Sequence, residues 1–300
     1  MSSIIDQKDV IVNNTRTFIF VVAKNKKIYY YFIEKGGSCM NRNELKNIAK
    51  QTIEISENKY YSISNKDIYF NTKHFYKLYE ECPTVDMVQK HNKKANIVVK
   101  NESTIEAIHR MGNGVGVLNF ASAKWPCGGF LGGSMAQEEC LAYCSDLYIQ
   151  QWPQAKEYYT LHRDNPNPFY THTMFVNNVT FFRNADLNLT EDYTECKVLT
   201  SAAVNLGVVK SHGKSVKEAN VIMKARMRKI LKVFIDCNCK NIILGAFGCG
   251  VFENSAEDVA KFWRELLIDE GYQYYFDDIC FSVLDSRGTN NFEIFRKTFE

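Results

Sequence analysis

No stretch of this 300-residue sequence approaches the roughly 18 apolar residues that a membrane-crossing helix needs. Its first ten residues, MSSIIDQKDV, lack the basic-then-apolar layout of a secretory signal. The expectation is therefore an intracellular protein, cytoplasmic or nuclear, with no membrane partner. A large excess of charge is also missing. Lys and Arg number 37 against 34 Asp and Glu, a formal net charge of +3, far from the strongly basic face of most nucleic-acid binders. The ten cysteines include no CxxC pair, and the tightest spacing, Cys237-x-Cys239, has no histidine beside it. The six histidines form no HExxH cluster. A disulfide framework and a zinc centre thus both lack their usual spacing. No serine or cysteine stands in a recognisable nucleophile–base arrangement. The 45% hydrophobic and 24% charged content is that of an ordinary soluble domain with a sizeable core.

The chain divides by its grammar. Residues 17–33, TFIFVVAKNKKIYYYFI, read as a β-hairpin around Lys24-Asn25-Lys26-Lys27, and Gly36-Gly37 breaks the pattern. Residues 43–57 read as a helix with Leu45, Ile48, Ala49 and Ile53 on one stripe. Residues 58–92 are polar and rich in Tyr and Asn, and read as irregular structure over a larger body. From about residue 95, strands alternate with helices. Strands are expected at 97–99, 115–120, near 173–182 and 196–200, at 241–245 and at 279–284. A long helix is expected at 217–236, and another begins at Asn254 or Ser255 and ends at Gly271. Capping boxes are expected at Ser103–Glu106 and Ser134–Gln137. Alternating strands and helices predict a layered α/β fold. The division expected is residues 1–92 as an N-terminal accessory region and 93–300 as the catalytic domain.

Two glycine-rich bends follow buried strands. The first, after VGVLNF, holds Gly128, Gly129, Gly132 and Gly133; the second, after NIIL, spans Gly245 to Gly250. Such bends at strand ends let backbone amides approach phosphate oxygens. Neither is followed by Gly-Lys-Ser/Thr, and neither reads G-x-G-x-x-G with an acidic residue some 20 positions on. A P-loop ATPase and a standard dinucleotide dehydrogenase are disfavoured. The first bend runs into Gln137, Glu138 and Glu139. Acidic residues favour a first helical turn for the dipole alone. A glycine bend immediately upstream gives them a second reading, in which one carboxyl protonates the leaving oxygen of a glycosidic bond. Phe252 suits either core packing or contact with a ribose or base.

The stretch VLNFASAKWPCGGFLGGSMAQEECLAYCSDLY (117–148) resembles the signature of the microbial poly(ADP-ribose) glycohydrolase family, a branch of the macrodomain hydrolases. EYYTLHR (157–163), TSAAVN (200–205) and LGAFGCGVFENSAEDVAKFWRELL (244–267) resemble family segments in the same order, and the similarity spans roughly residues 43–295. The resemblance implies a macrodomain-like three-layer α/β/α sandwich with a mixed central sheet, carrying the N-terminal helical region and hairpin as an extension. It implies Glu139 as the catalytic acid and Glu138 as the ligand of a ribose hydroxyl. It places Gly128 and Gly129 in the catalytic loop, and Gly248, Cys249, Gly250 and Val251 in a diphosphate loop. Phe252 would pack on the distal ribose, with Gln137, Cys127 and Asn205 completing the substrate-binding set. No metal or cofactor is implied. The implied partner is ADP-ribose or poly(ADP-ribose), with an ADP-ribosylated protein as the carrier.

Two departures from the family pattern stand out. Cys127 replaces the first of three consecutive glycines, and Trp125 stands where a small or polar residue usually precedes the proline. Cys127 would narrow the cleft or strain the loop, or pack as a small hydrophobe. A second reading is an ADP-ribose-binding macrodomain that does not cut, and a third is a hydrolase acting on ADP-ribosylated nucleic acid. Intact Glu138 and Glu139 favour the enzyme over the reader, and the near-neutral charge weighs against the third.

Overall fold

Residues along the strand Gly116–Phe120 point alternately into two separate cores. Val117 joins one hydrophobic cluster and Leu118 the other, and Val198/Leu199, Ile243/Ile242 and Cys280/Ile279 divide the same way. That two-residue alternation of apolar side chains to both faces belongs to a sheet covered on both sides.

The computed structural model describes residues 10–13, 16–23, 27–34, 40–85, 90–165, 167–285 and 288–300. The expected turn residues 24–26, Gly36-Gly37 and Cys39 lie outside these. Strands β1 (Val10–Asn13), β2 (Arg16–Ala23) and β3 (Lys27–Glu34) form an antiparallel sheet in the order β1-β2-β3, of which β2 and β3 are the expected hairpin. Helix α1 (Arg42–Asn58) follows. Its N-cap Asn41 and Glu44 close a capping box. A second hairpin, β4 (Tyr60–Ile63) and β5 (Lys66–Tyr69), leads to β6 (Tyr76–Tyr79). Then come β7 (Asn96–Lys100), α2 (Thr104–Met111), β8 (Gly116–Phe120), α3 (Gln137–Cys144), α4 (Leu147–Gln151) and α5 (Tyr159–Asp164). The chain continues through β9 (Met174–Arg183), β10 (Leu189–Ser201), α6 (Leu206–Ser211), α7 (Val216–Asp236) and β11 (Asn241–Leu244). It ends with α8 (Ala256–Arg264), β12 (Asp278–Ser282) and α9 (Asn291–Phe299).

The central sheet has seven strands in the order β6-β9-β10-β8-β11-β12-β7. The five from β10 to β7 are parallel, and β9 and β6 are antiparallel at one edge. Leu45, Ile105, Ile108, Leu141 and Leu147, from α1 to α4, cover one face. Val209, Met227, Phe234, Val259, Trp263 and Phe295, from α6 to α9, cover the other. The molecule is thus the three-layer α/β/α sandwich with a mixed sheet that the sequence predicts.

Three local expectations need correction. Residues 58–92 are not irregular, because they hold β4, β5 and β6, and β6 pairs with β9 inside the central sheet. A boundary at residue 92 therefore cuts through that sheet. The cause is the sequence of β6, Tyr-Lys-Leu-Tyr, a four-residue edge strand too short and too polar to stand out. The strand expected at 196–200 begins at Leu189, with a register shift between Leu189 and Thr194 in its polar first half. The helix after Ser255 widens into a π-turn at Glu265–Asp269 before Gly271.

Two buried cations on α7 fasten the loops to this frame. The fully buried Arg226 guanidinium donates to the carbonyls of Ala202 (2.8 Å), Phe169 (2.6 Å) and Tyr170 (3.3 Å). One turn on, the Lys229 ammonium donates to the carbonyls of Tyr79, Glu80 and His172. Burial lowers the Arg226 pKa to about 10 and that of Lys229 to about 8, so both stay charged at neutral pH. Arg226→Met would leave these buried carbonyls without their donor. It is expected to cost about 2–5 kcal/mol in urea denaturation; an unchanged midpoint would show the tether to be idle.

Candidate active site

The carboxyl ends of β10, β8 and β11 lie side by side, which is where open α/β sheets place their ligands. Both glycine bends leave from these ends. Pro126 and Cys127 are buried, and Gly128 and Gly129 follow in a tight turn whose amides point inward.

Helix α3 presents the paired glutamates to this turn. Its N-cap is Ala136, not the Ser134 expected from the sequence, and Glu139 occupies the third helical position. Both carboxylates are buried, Glu138 at 3% and Glu139 at 8% exposure. Glu139 Oε1 accepts from the Gly129 amide (2.8 Å), and Oε2 from the Ala136 amide (3.0 Å). Glu138 Oε2 accepts from the Ser122 amide (2.7 Å), and Oε1 from Asn119 Nδ2 (3.2 Å). Backbone donors of the loop thus hold both side chains, and among the described residues no cation pairs with either. Gly128 sits between them with φ +56°. A Cβ there would fall 2.6 Å from Glu139 Oε1 and 3.1 Å from Glu138 Oε2.

Burial, and after it the neighbouring Glu139 carboxylate, push the Glu138 pKa up to about 8 against the pull of its hydrogen bonds. A proton is therefore retained in the site at neutral pH, and for two carboxyls this close it belongs to the pair. If Glu139 gives up such a proton, the two amides already aimed at its oxygens stabilise the carboxylate left behind.

Gln137 is turned away from the other two. Its amide is spent on the backbone of β8, accepting from Phe120 N (2.9 Å) and donating to Leu118 O (2.9 Å). It locks α3 to the strand beneath and has no free end for a substrate. Cys127 adopts φ +53°, so the loop keeps the left-handed conformation that suits glycine. Its side chain is fully buried, with the amide (3.0 Å) and the thiol (3.3 Å) both donating to Gln151 Oε1. The thiol lies under the loop and does not narrow the cleft, and burial holds its pKa well above the ordinary range. Of the readings open for Cys127, strain and packing both apply.

The sequence reading missed the polar chain that supports the pair. Gln151 Oε1 also accepts from Tyr159 Oη (2.8 Å), and Gln151 Nε2 donates to Thr200 Oγ1 (2.9 Å). Asn119 Nδ2 reaches Thr200 Oγ1 as well as Glu138, while its Oδ1 is buried without a partner. The residues come from β8, α4, α5 and β10, so no local spacing could reveal them.

The second bend is built from below. Trp263, fully buried, donates its indole N–H to Gly245 O (3.3 Å). Gly248 has φ +77°, and a Cβ on it would meet Ala203 and Asn254 within 3 Å. Asn254 Nδ2 braces the bend by donating to Gly248 O and Val204 O. Gly250 and Val251 stand out into solvent, Val251 at 81% exposure, and a Cβ on Gly250 would meet nothing. Cys249 is partly buried and Phe252 packs at 6.2 Å from Tyr170. Asn205 caps α6 by accepting from Val208 N, so its side-chain oxygen is committed to the helix.

Two buried carboxylates at the lip of a parallel sheet, facing one glycine turn and flanked by another, define a hydrolase of the macrodomain-like α/β/α class. The family described as "Microbial-type PARG, catalytic domain" matches residues 37–184. The fold resembles the crystal structure of the poly(ADP-ribose) glycohydrolase of Thermomonospora curvata bound to the inhibitor ADP-HPD. That match has a TM-score of 0.78 and 30% identity, covering 85% of this chain and 99% of that one. It also resembles the Deinococcus radiodurans poly(ADP-ribose) glycohydrolase in complex with ADP-ribose. There the TM-score is 0.66 and the identity 34%, over 70% of this chain and 86% of that one. No curated protein matches the chain. The chain belongs to the microbial-type poly(ADP-ribose) glycohydrolase family.

The geometry separates neighbouring positions 127 and 128 of the glycine loop by their effects. Gly128→Ala is expected to lower kcat/KM by at least about 10²-fold, the cost of displacing an acid from its reacting geometry, in a protein that still unfolds cooperatively. Cys127→Gly is expected to leave the ratio of rates on polymeric and single-unit substrates unchanged. A Gly128→Ala enzyme of normal activity would remove the glycine turn from the site.

Proposed function

We propose that this chain hydrolyses ADP-ribose glycosidic bonds, releasing ADP-ribose from poly(ADP-ribose) or from ADP-ribosylated targets. The observation that carries the reading is the buried Glu138–Glu139 pair, hung on loop amides and retaining a proton at neutral pH. A module that only bound ADP-ribose could use Glu138 on a ribose hydroxyl but would have little need of a second desolvated carboxyl, Glu139, whose burial as an ion costs several kcal/mol. The family membership supports the same reaction.

In the mechanism proposed, the ADP-ribose diphosphate lies along Gly248, Cys249, Gly250 and Val251, and Phe252 packs on the adjoining ribose. Glu138 accepts a hydrogen bond from a hydroxyl of the ribose being cut. Glu139 gives its proton to the leaving oxygen as the bond from the anomeric carbon to that oxygen breaks, and the sugar becomes oxocarbenium-like. The substrate's own diphosphate offsets that positive charge. Water then adds to the anomeric carbon, and its proton returns to the carboxylate.

Glu139→Gln is expected to lower the rate of ADP-ribose release by about 10²–10⁴-fold while leaving ADP-ribose affinity, by calorimetry, within a few-fold. Full activity would remove Glu139 from the role of acid. Because a Cβ at Gly250 meets no protein atom, Gly250→Val is expected to weaken ADP-ribose binding without lowering the thermal midpoint. Normal binding by that variant would exclude the second bend as the diphosphate site. The pH dependence has a definite sign. Burial raises the pKa of Glu138, so the site keeps its proton below about 8 and loses it above. kcat/KM is expected to fall on the alkaline side with an apparent pKa of about 8, a value that belongs to the pair. A profile flat to pH 10 would show that no retained proton is used.

A further inference from the structure

Trp125, like Leu131 (54% exposed) further along the same loop, leaves a large apolar surface in solvent. It is 59% exposed, whereas its neighbours Pro126 and Cys127 are buried. It is nevertheless firmly placed. Its amide donates to Ser122 Oγ (3.2 Å) and its carbonyl accepts from Gly128 N (3.0 Å), so it belongs to the turn whose amides hold both glutamates. The Arg163 guanidinium from α5 lies 5.2 Å from the ring centroid. Arg163 is itself anchored, donating to Lys124 O (2.8 Å) and Thr160 Oγ1 (2.7 Å). The indole is thus steadied by an anchored cation, much of its surface remains open, and exposed Lys124 adds a second positive charge beside it.

An exposed indole beside one anchored cation, with a second cation next to it in the chain, suits a nucleotide, with stacking for the base and charge for the phosphates. Its position relative to the glutamates says which nucleotide. The second glycine bend leaves β11, the glutamates face the loop after β8, and α5 starts over β9, where Tyr159 meets Phe175 at 6.3 Å. In the sheet order, β9 and β11 flank β10 and β8, so α5, which carries Arg163, lies on the opposite side of β8 from the diphosphate bend. A group reaching Trp125 lies on the far side of the bond being cut.

We propose that Trp125, with Arg163 and Lys124, forms a subsite for the adenine and diphosphate of the ADP-ribose unit on the leaving-group side, so that this chain prefers a chain of ADP-ribose units to a single one. The proposal rests on the hydrolase reading above and concerns a different part of the substrate. The subsite holds the polymer's next unit while Glu139 protonates the oxygen joining the two, and it takes no part in the chemistry.

The test uses two substrates, an ADP-ribose dimer and an ADP-ribose carrying a small aryl leaving group with no second nucleotide. Trp125→Ala is expected to raise KM for the dimer by about 5- to 100-fold, the usual worth of one base stacked on an aromatic, and to lower kcat/KM on the aryl substrate by much less. Trp125→Tyr is expected to restore most of the dimer affinity. The aryl substrate also reports that each variant is folded. An enzyme cutting both substrates whose Trp125→Ala variant keeps its dimer KM overturns the subsite and leaves the hydrolase reading intact. So does an equal loss on both substrates, which would mark a merely structural tryptophan. Cleavage of the aryl substrate with faster release from an ADP-ribosylated peptide than from the dimer would also overturn it, by giving the surface to a protein carrier. A wild type that releases ADP-ribose from none of these overturns the hydrolase reading itself.

Discussion

The site depends on burying two adjacent carboxyls with no cation beside them among the described residues. Desolvation alone would drive Glu138 and Glu139 toward neutrality or out to solvent. They stay because the backbone amides of Ser122, Gly129 and Ala136, with the Asn119 side chain, supply four donors at 2.7–3.2 Å. Backbone donors are fixed by the fold, so the carboxyls need no flexible partner that a substrate would have to displace. That is electrostatic preorganisation in its simplest form. The α3 N-terminus adds to it, since the capping position that would stabilise any helix is here given to Glu139, the proposed acid.

The loop's shape follows from the same demand. Amides can reach Glu139 only if the chain turns sharply at residues 127 and 128, and both adopt positive φ. Gly128 does so freely and leaves the gap that a Cβ would fill. Cys127 does so at the strain that a left-handed residue with a Cβ carries, about 1–2 kcal/mol. Its packing in the α1–α4 core and its two hydrogen bonds to Gln151 offset that strain. Gln151 therefore ties the loop conformation to Thr200 of β10 and, through Asn119, back to Glu138. The loop and the pair behave as one unit anchored on two neighbouring strands.

The parts legible in the sequence were those whose cause is local. The buried runs of β8 and β11, the cap of α2 at Ser103 and the long stripe of α7 all appear where periodicity and capping place them. The glycine bends and the glutamates were visible as a motif, and their joint position at parallel strand ends follows from it. What escaped was set by distant residues. Strand β6 is recognisable only through its pairing with β9, and α3 takes Ala136 as its N-cap because Glu139 reaches back there. Gln137 and Asn205 carry the residue types of substrate ligands, yet the first is spent on β8 and the second on the α6 cap. Arg226 and Lys229 read as ordinary charges on a helix, and only the tertiary fold turns them into buried clamps.

The central claim is that this loop keeps a proton on a buried carboxyl pair at neutral pH. The direct measurement is carbon-13 NMR titration of the glutamate side-chain carboxyls, with Glu138 and Glu139 assigned by the Glu138→Gln and Glu139→Gln variants. The account predicts that one ionisation assigned to the pair occurs near pH 8, well above the ordinary carboxylate range. Titration of both carboxyls below pH 5, with no further change up to pH 9, would contradict it.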